Sequence, residues 1–152
     1  MSTTTEDALP QKLAAIVEDF NALPEQERLQ LLLDFSRRLP VLPARYADNP
    51  DLLEPVRECQ SPIFLVVEIE GADGDATVRL FFSVPAAAPT TSGFAGILHE
   101  GLDGLTASEV LAAPGDVCDR LGLSSVVSPL RLRGMAGMLA RIKRQVQDKF
   151  AA

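Results

Sequence analysis

Ile63-Phe64-Leu65-Val66-Val67-Glu68-Ile69-Glu70, then Gly71-Ala72-Asp73-Gly74, then Thr77-Val78-Arg79-Leu80-Phe81-Phe82-Ser83-Val84 is the most strand-like stretch of this chain. β-Branched and aromatic residues dominate both arms, and the glycine- and aspartate-bearing tetrapeptide supplies the reversal, so the stretch reads as a β-hairpin. Apolar residues run almost without a break along the arms. That pattern implies a face covered by helices, with the hairpin at the centre of the sheet.

Outward from the hairpin the pattern turns helical. Leu9, Leu13, Ile16, Val17 and Phe20 recur at helical spacing behind the cap-like Thr4-Thr5-Glu6-Asp7, with Pro10 tolerated in the opening turn. Pro24 with Glu25, Gln26 and Glu27 opens a second helix that Leu29, Leu32, Leu33 and Phe35 carry to a firm stop at Pro40. Between Leu39 and Pro62 stand five prolines, which predict a long, ordered surface loop without regular structure. Beyond the hairpin, Pro85 to Pro89 break the second strand and Thr90 or Thr91 caps a helix reaching about Glu100. Thr106-Ala107-Ser108-Glu109 is a capping box opening a short helix, and Pro114-Gly115-Asp116 restarts the chain. Ser128-Pro129 begins a long helix with Met135, Met138, Leu139, Ile142 and Val146 inward and Arg141, Lys143, Arg144 and Lys149 outward.

A length of 152 residues, 47% hydrophobic and 23% charged, suits one globular domain with its own core. The acidic N-terminus does not read as a secretory signal and no apolar run approaches membrane-spanning length, so a cytoplasmic protein with no membrane partner is expected. The net charge of −7 is uneven: residues 120 to 149 carry seven basic side chains against one acid, leaving −13 on the remainder. So acidic a surface argues against nucleic acid as a partner, and the helical spacing of the basic segment reads as a solvated face. Two cysteines far apart in sequence read as free thiols, and with one histidine and no C-x-x-C spacing no metal centre or resident cofactor is expected.

The candidate for chemistry is Cys59, in Pro55-Val56-Arg57-Glu58-Cys59-Gln60-Ser61-Pro62, where a proline-broken loop enters the first strand. A thiol needs activation to react near neutrality. Arg57, another arginine or backbone N–H groups would supply it, with Gln60 and Ser61 as polar donors, and Glu58 would oppose it. The competing reading of Cys59 is a small buried hydrophobe. Cys118, spaced from Leu121 on the apolar side of a short helix, reads as core. His99 falls near a helix end, where a partly positive imidazole suits the dipole, and has no partner at catalytic spacing. Arg131 and Arg133 stand near a helix start, where the macrodipole does not favour cations; they serve surface charge, or one approaches Cys59 or an anionic partner.

Three segments together resemble the SufE family: the Leu39-Pro40 helix end with its long loop, Cys59-Gln60-Ser61 ahead of an apolar strand, and Pro129-x-Arg131-x-x-Gly134. The resemblance runs from about Leu13 to Lys149 and implies one SufE-like domain over residues 1–152, ordered from about 8 to 150 behind an N-terminal tail of residues 1–7. It implies an α+β fold related to IscU-type scaffolds, a small antiparallel sheet of three strands packed by helices; the third strand is not evident from the residues. It also implies that Cys59 accepts persulfide sulfur from a pyridoxal-phosphate-dependent cysteine desulfurase, stimulates that enzyme, and passes sulfur to an iron–sulfur scaffold protein. The pyridoxal phosphate stays with the partner. Arg131 corresponds to the arginine that stabilises thiolate or persulfide, with Arg57, Gln60 and Ser61 supporting the loop; a homodimer is a possible assembly.

Two departures stand out. Glu58 replaces a glycine common before the cysteine, and Pro89-Thr90-Thr91 replaces a Ser-Asp-Ala sequence ahead of the middle helix. The alternative to sulfur transfer is a regulatory module that docks on a desulfurase without accepting sulfur, and a third reading is a redox-sensing thiol.

Overall fold

The structure is a computed structural model that describes residues 9–59, 62–71, 76–85 and 88–151. The expected cap at Thr4–Asp7 and the turn residues 72–74 lie outside them. Among the described residues the elements run α1 (Gln11–Ala22), α2 (Glu25–Arg38), α3 (Ala44–Ala47), β1 (Glu54–Pro55), β2 (Phe64–Glu70), β3 (Thr77–Ser83), α4 (Pro89–Leu102), α5 (Ala107–Ala112) and α6 (Pro129–Ala151). Short 3₁₀ turns occupy Pro50–Leu52 and Val117–Leu121.

The sheet is antiparallel and three-stranded in the order β1-β2-β3, so the fold is α+β as expected. β2 pairs with β3 from Phe64↔Ser83 to Glu70↔Thr77, which confirms the hairpin. β1, the strand hidden in the sequence, pairs through only Glu54↔Leu65 and Pro55↔Phe64. Pro55 has no N–H to donate, which an edge strand tolerates. The five-proline loop therefore holds more regular structure than its composition suggests: a helical turn, a 3₁₀ turn and a strand, each too short to show a period.

Val78, Leu80 and Phe82 of β3 and Leu65 and Val67 of β2 face the helical layer, where they join Phe20, Phe35, Phe94, Ile97, Met135, Met138, Ile142 and Val146 in one core. α4 runs through the middle of this layer and is buried on nearly every side. It lies so close to α2 that a side chain at Gly93 would begin 2.5 Å from the Leu32 carbonyl oxygen. α4 starts at Pro89 with Ala88 before it and no side-chain cap, so Thr90 and Thr91 sit inside the first turn instead of capping it. Proline's fixed φ suits that first position. The Thr106 capping box forms as expected.

The sheet's other face is covered as well. Tyr46, Leu53 and Val66 are buried there with Leu42, Phe64 and Phe81 against them. Arg45 lies 5.0 Å above the Tyr46 ring and 5.1 Å above that of Phe81, and Arg45 and Tyr46 both donate to Glu68. The loop is thereby clipped to β2 before the chain turns into β1 and Cys59.

The basic side of α6 is not the solvated face its spacing suggests. Because β1 covers only two residues of β2, the main chain of Val67 meets no strand on that side. Gln145 accepts from the Val67 N–H at 2.8 Å and Lys149 donates to its carbonyl. Arg144 and Gln145 also bind Glu54 of β1, and Lys143 donates to the Ala113 carbonyl at 2.6 Å. A sheet edge left open would expose these groups or strand them, and the side chains of α6 satisfy them.

Candidate functional site

Cys59 lies in the loop that joins β1 to β2. The base of that loop is closed where the Val56 N–H donates to the Ile63 carbonyl at 2.9 Å, and both side chains are buried in the core. A tight turn follows, with the Cys59 N–H donating to the Val56 carbonyl at 3.1 Å. Arg57 and Glu58 occupy the turn's exposed centre and Cys59 is half-buried. Gln60 and Ser61 lie outside the described residues.

The sulfur packs on α6 at Gly134, where a Cβ would come within 2.8 Å of Sγ. One turn further, a Cβ at Gly137 would come within 2.7 Å of Glu58 Cδ. The glycine of the Pro129-x-Arg131-x-x-Gly134 segment therefore has a steric reason: it makes room for the thiol. Arg141, one turn beyond Gly137, donates to the Glu58 carboxylate and to the Gly137 carbonyl at 3.3 Å. Its Nε lies 3.4 Å from Glu54 Oε2, at ion-pair distance but not aligned as a hydrogen bond, so this buried N–H has no acceptor among the described residues.

Burial pushes the Cys59 thiol above its ordinary value, the charge of Glu58 pushes the same way, and that of Arg141 partly offsets both. The resting thiol is thus kept protonated. The cation acting on it is Arg141, which the sequence pattern placed among outward residues. Its position seven residues after Gly134 and four after Gly137 puts all three on one helical face, and that spacing was the available signal. Arg131 is exposed in the first turn of α6, where Nη1 lies 3.5 Å from Thr90 Oγ1 and the backbone N–H 3.3 Å from Ser128 Oγ. Three residues before Gly134, it borders the same face. Arg133 is exposed.

Cys118 is in the core, as expected, and burial pushes its thiol up to about 12. His99 is in the last turn of α4 with Asp103 Oδ1 at 3.8 Å, but burial lowers its pKa, so the neutral imidazole is favoured over the partly positive one expected at a helix end. No group of three or more His, Cys, Asp or Glu is arranged to hold a metal among the described residues, and no helix there is long and apolar enough to cross a membrane.

A profile of the SufE Fe-S metabolism associated domain matches residues 14–146. Two SufE-like proteins from strains of Mycobacterium tuberculosis, both termed uncharacterized, are 50% identical over 145 residues, covering 95% of this chain and 98% of theirs. A SufE-like protein of Rhizobium meliloti is 28% identical, covering 92% of this chain and 98% of its own. The solution structure of a hypothetical protein from Thermus thermophilus superposes with a TM-score of 0.81 at 38% identity, over 95% of this chain and all of that one. The chain belongs to the SufE family, and its role lies in Fe–S metabolism.

Proposed function

We propose that the protein is a cytoplasmic sulfur acceptor and carrier that takes persulfide sulfur from a pyridoxal-phosphate-dependent cysteine desulfurase onto Cys59, stimulates that enzyme, and delivers the sulfur to an iron–sulfur scaffold. The observation that carries this reading is the setting of Cys59: a thiol on a short hairpin loop with a closed base, half-buried against a glycine, in a chain of the SufE family. In the transfer step the Cys59 thiolate attacks the outer sulfur of the donor's Cys–S–SH. A new S–S bond forms at Cys59, the donor's own S–S bond breaks, and the donor sulfur leaves as a thiolate. The Cys59 proton passes to solvent or to the departing thiolate. The charge of Arg141 acts on the sulfur and suits a persulfide anion, Arg131 at the start of the same helix is the arginine that the family pattern assigns to that role, and Arg57, Gln60 and Ser61 belong to the loop that must reach the donor. Cys118 is too buried to serve as acceptor.

The test is to incubate the protein with a desulfurase and cysteine and read its intact mass. One or more added sulfurs that map to Cys59, with loss of desulfurase stimulation in Cys59→Ser, are expected. Full stimulation by Cys59→Ser with no adduct on the parent protein would replace transfer by docking alone.

A further inference from the structure

Two consecutive loop residues, Glu58 and Cys59, each sit in a glycine notch of α6, at Gly137 and Gly134 respectively. The match sets the register of loop on helix, because any side chain at either position would collide with its occupant. Only one of the two occupants is held by charge. The Glu58 carboxylate is bound by Arg141, whose side chain is 16% exposed against 41% for Glu58. Arg141 is steadied from behind by Glu54, which Arg144 and Gln145 also grip. The cation is therefore built into the scaffold and its loop partner is the movable half.

We infer that the Glu58–Arg141 pair is a latch that seats Cys59 in the Gly134 notch, and that its release presents the sulfur to the donor, making Glu58 and Arg141 positioning residues for sulfur acceptance. This rests on Cys59 being the acceptor. Steric room supports it: a second sulfur adds a bond of about 2 Å to the side chain, in a notch that cannot take one further carbon atom at Gly134. A second sulfur therefore has no room on the side of Gly134 and must extend away from the helix. Charge supports it too. With Glu58 withdrawn, Arg141 loses its nearest carboxylate and remains beside the sulfur, where an anion forms. The charged groups acting on the thiol are Glu58 from the loop and Arg141 from α6; Glu54 and Arg144 lie behind Arg141, and Arg131 is directed to Thr90.

The test is the pH–rate profile of Cys59 alkylation by iodoacetamide in the full chain, with no desulfurase present and Cys59→Ser as the blank. The high-pH plateau reports how readily the seated sulfur comes free, and the midpoint reports its pKa. Glu58→Gln and Arg141→Gln should each raise the plateau several-fold. The midpoint should fall in Glu58→Gln and lie higher in Arg141→Gln than in Glu58→Gln. The double variant should share the plateau of the singles, since both break one contact. Plateaus equal to the parent's, or gains that multiply in the double variant, would overturn the latch. If circular dichroism shows Arg141→Gln unfolded, Glu58→Gln decides alone, as its side chain is partly in solvent. Normal sulfur loading with unchanged plateaus removes the latch only; the expected plateaus without any loading remove the acceptor reading only.

Discussion

At the scale of single residues, the site is shaped as much by absent side chains as by present ones. Gly134 lets the helix backbone approach a sulfur, and its replacement tests that relation directly. Gly134→Ala places a methyl group 2.8 Å from Cys59 Sγ if nothing moves. Overpacking a seat of this kind costs about 1–3 kcal/mol, while alanine in a helix interior returns about 1 kcal/mol. The loop end can yield more easily than the helix, so the net loss should be about 1 kcal/mol, visible as a lower urea midpoint. Cys59 alkylation should speed up. A variant as slow to alkylate as the parent would show that the sulfur does not depend on this notch. The cysteine and the glycine were both legible in the sequence, one as a thiol in a polar, proline-bounded loop and the other within a motif. Their contact was not, because nothing in local spacing brings residue 59 to residue 134.

At the scale of elements, legibility followed length. α6 spans 23 residues and repeats its apolar positions several times, so its buried set of Met135, Met138, Leu139, Ile142 and Val146 could be read in advance. β1 spans two residues and has no period to read. Its place is fixed by pairing with β2 and by the grip of Arg144 and Gln145 on Glu54, all of them long-range contacts. The same contacts explain why the polar side of α6 was misread: spacing tells which residues avoid the core, not whether water or a sheet edge meets them. Gln145 shows the difference most clearly, being buried and bonded at once to Val67 and Glu54. Gln145→Ala leaves the Val67 N–H without its acceptor. An unsatisfied buried donor costs about 1–3 kcal/mol, so the unfolding free energy should fall by that amount, read as a lower urea midpoint with the slope unchanged. Gln145→Glu keeps an acceptor for Val67 but sets a second carboxylate beside Glu54, so it should not restore the parent's stability. No change in midpoint for Gln145→Ala would mean that water replaces the side chain and that β2 needs no cover there.

At the scale of the whole molecule, the acidic chain holds two carboxylates, Glu54 and Glu68, and its single histidine in settings that make the fold sensitive to acid in two stages. Burial lowers the pKa of His99, and this outweighs the nearby charges of Asp103 and Glu100 that would raise it. Unfolding frees the imidazole to take a proton near its ordinary 6.5, so the unfolded chain binds more protons and stability falls as pH drops below that value. Glu54 and Glu68 titrate lower. Burial alone would raise both, but hydrogen bonds from Gln145 and Arg144 to Glu54, and from Tyr46 and Arg45 to Glu68, together with the arginine charges, hold them below the ordinary 4.5. Their contribution is present above 4.5 and is lost as pH falls through the folded values. Urea unfolding across the acid range should therefore show a shallow decline beginning near pH 6.5 and a steeper one below pH 4.5. His99→Gln should remove the first and leave the second. The second stage carries a consequence for the thiol loop. Protonating Glu54 removes the carboxylate that backs Arg141 and joins β1 to α6, so the β1 edge and the seat of Cys59 should loosen together as Glu54 titrates. Hydrogen exchange at Leu65 and Cys59 that rises in step through that range would show one shared unit; exchange that rises at one of them alone would show that the strand and the thiol are held independently.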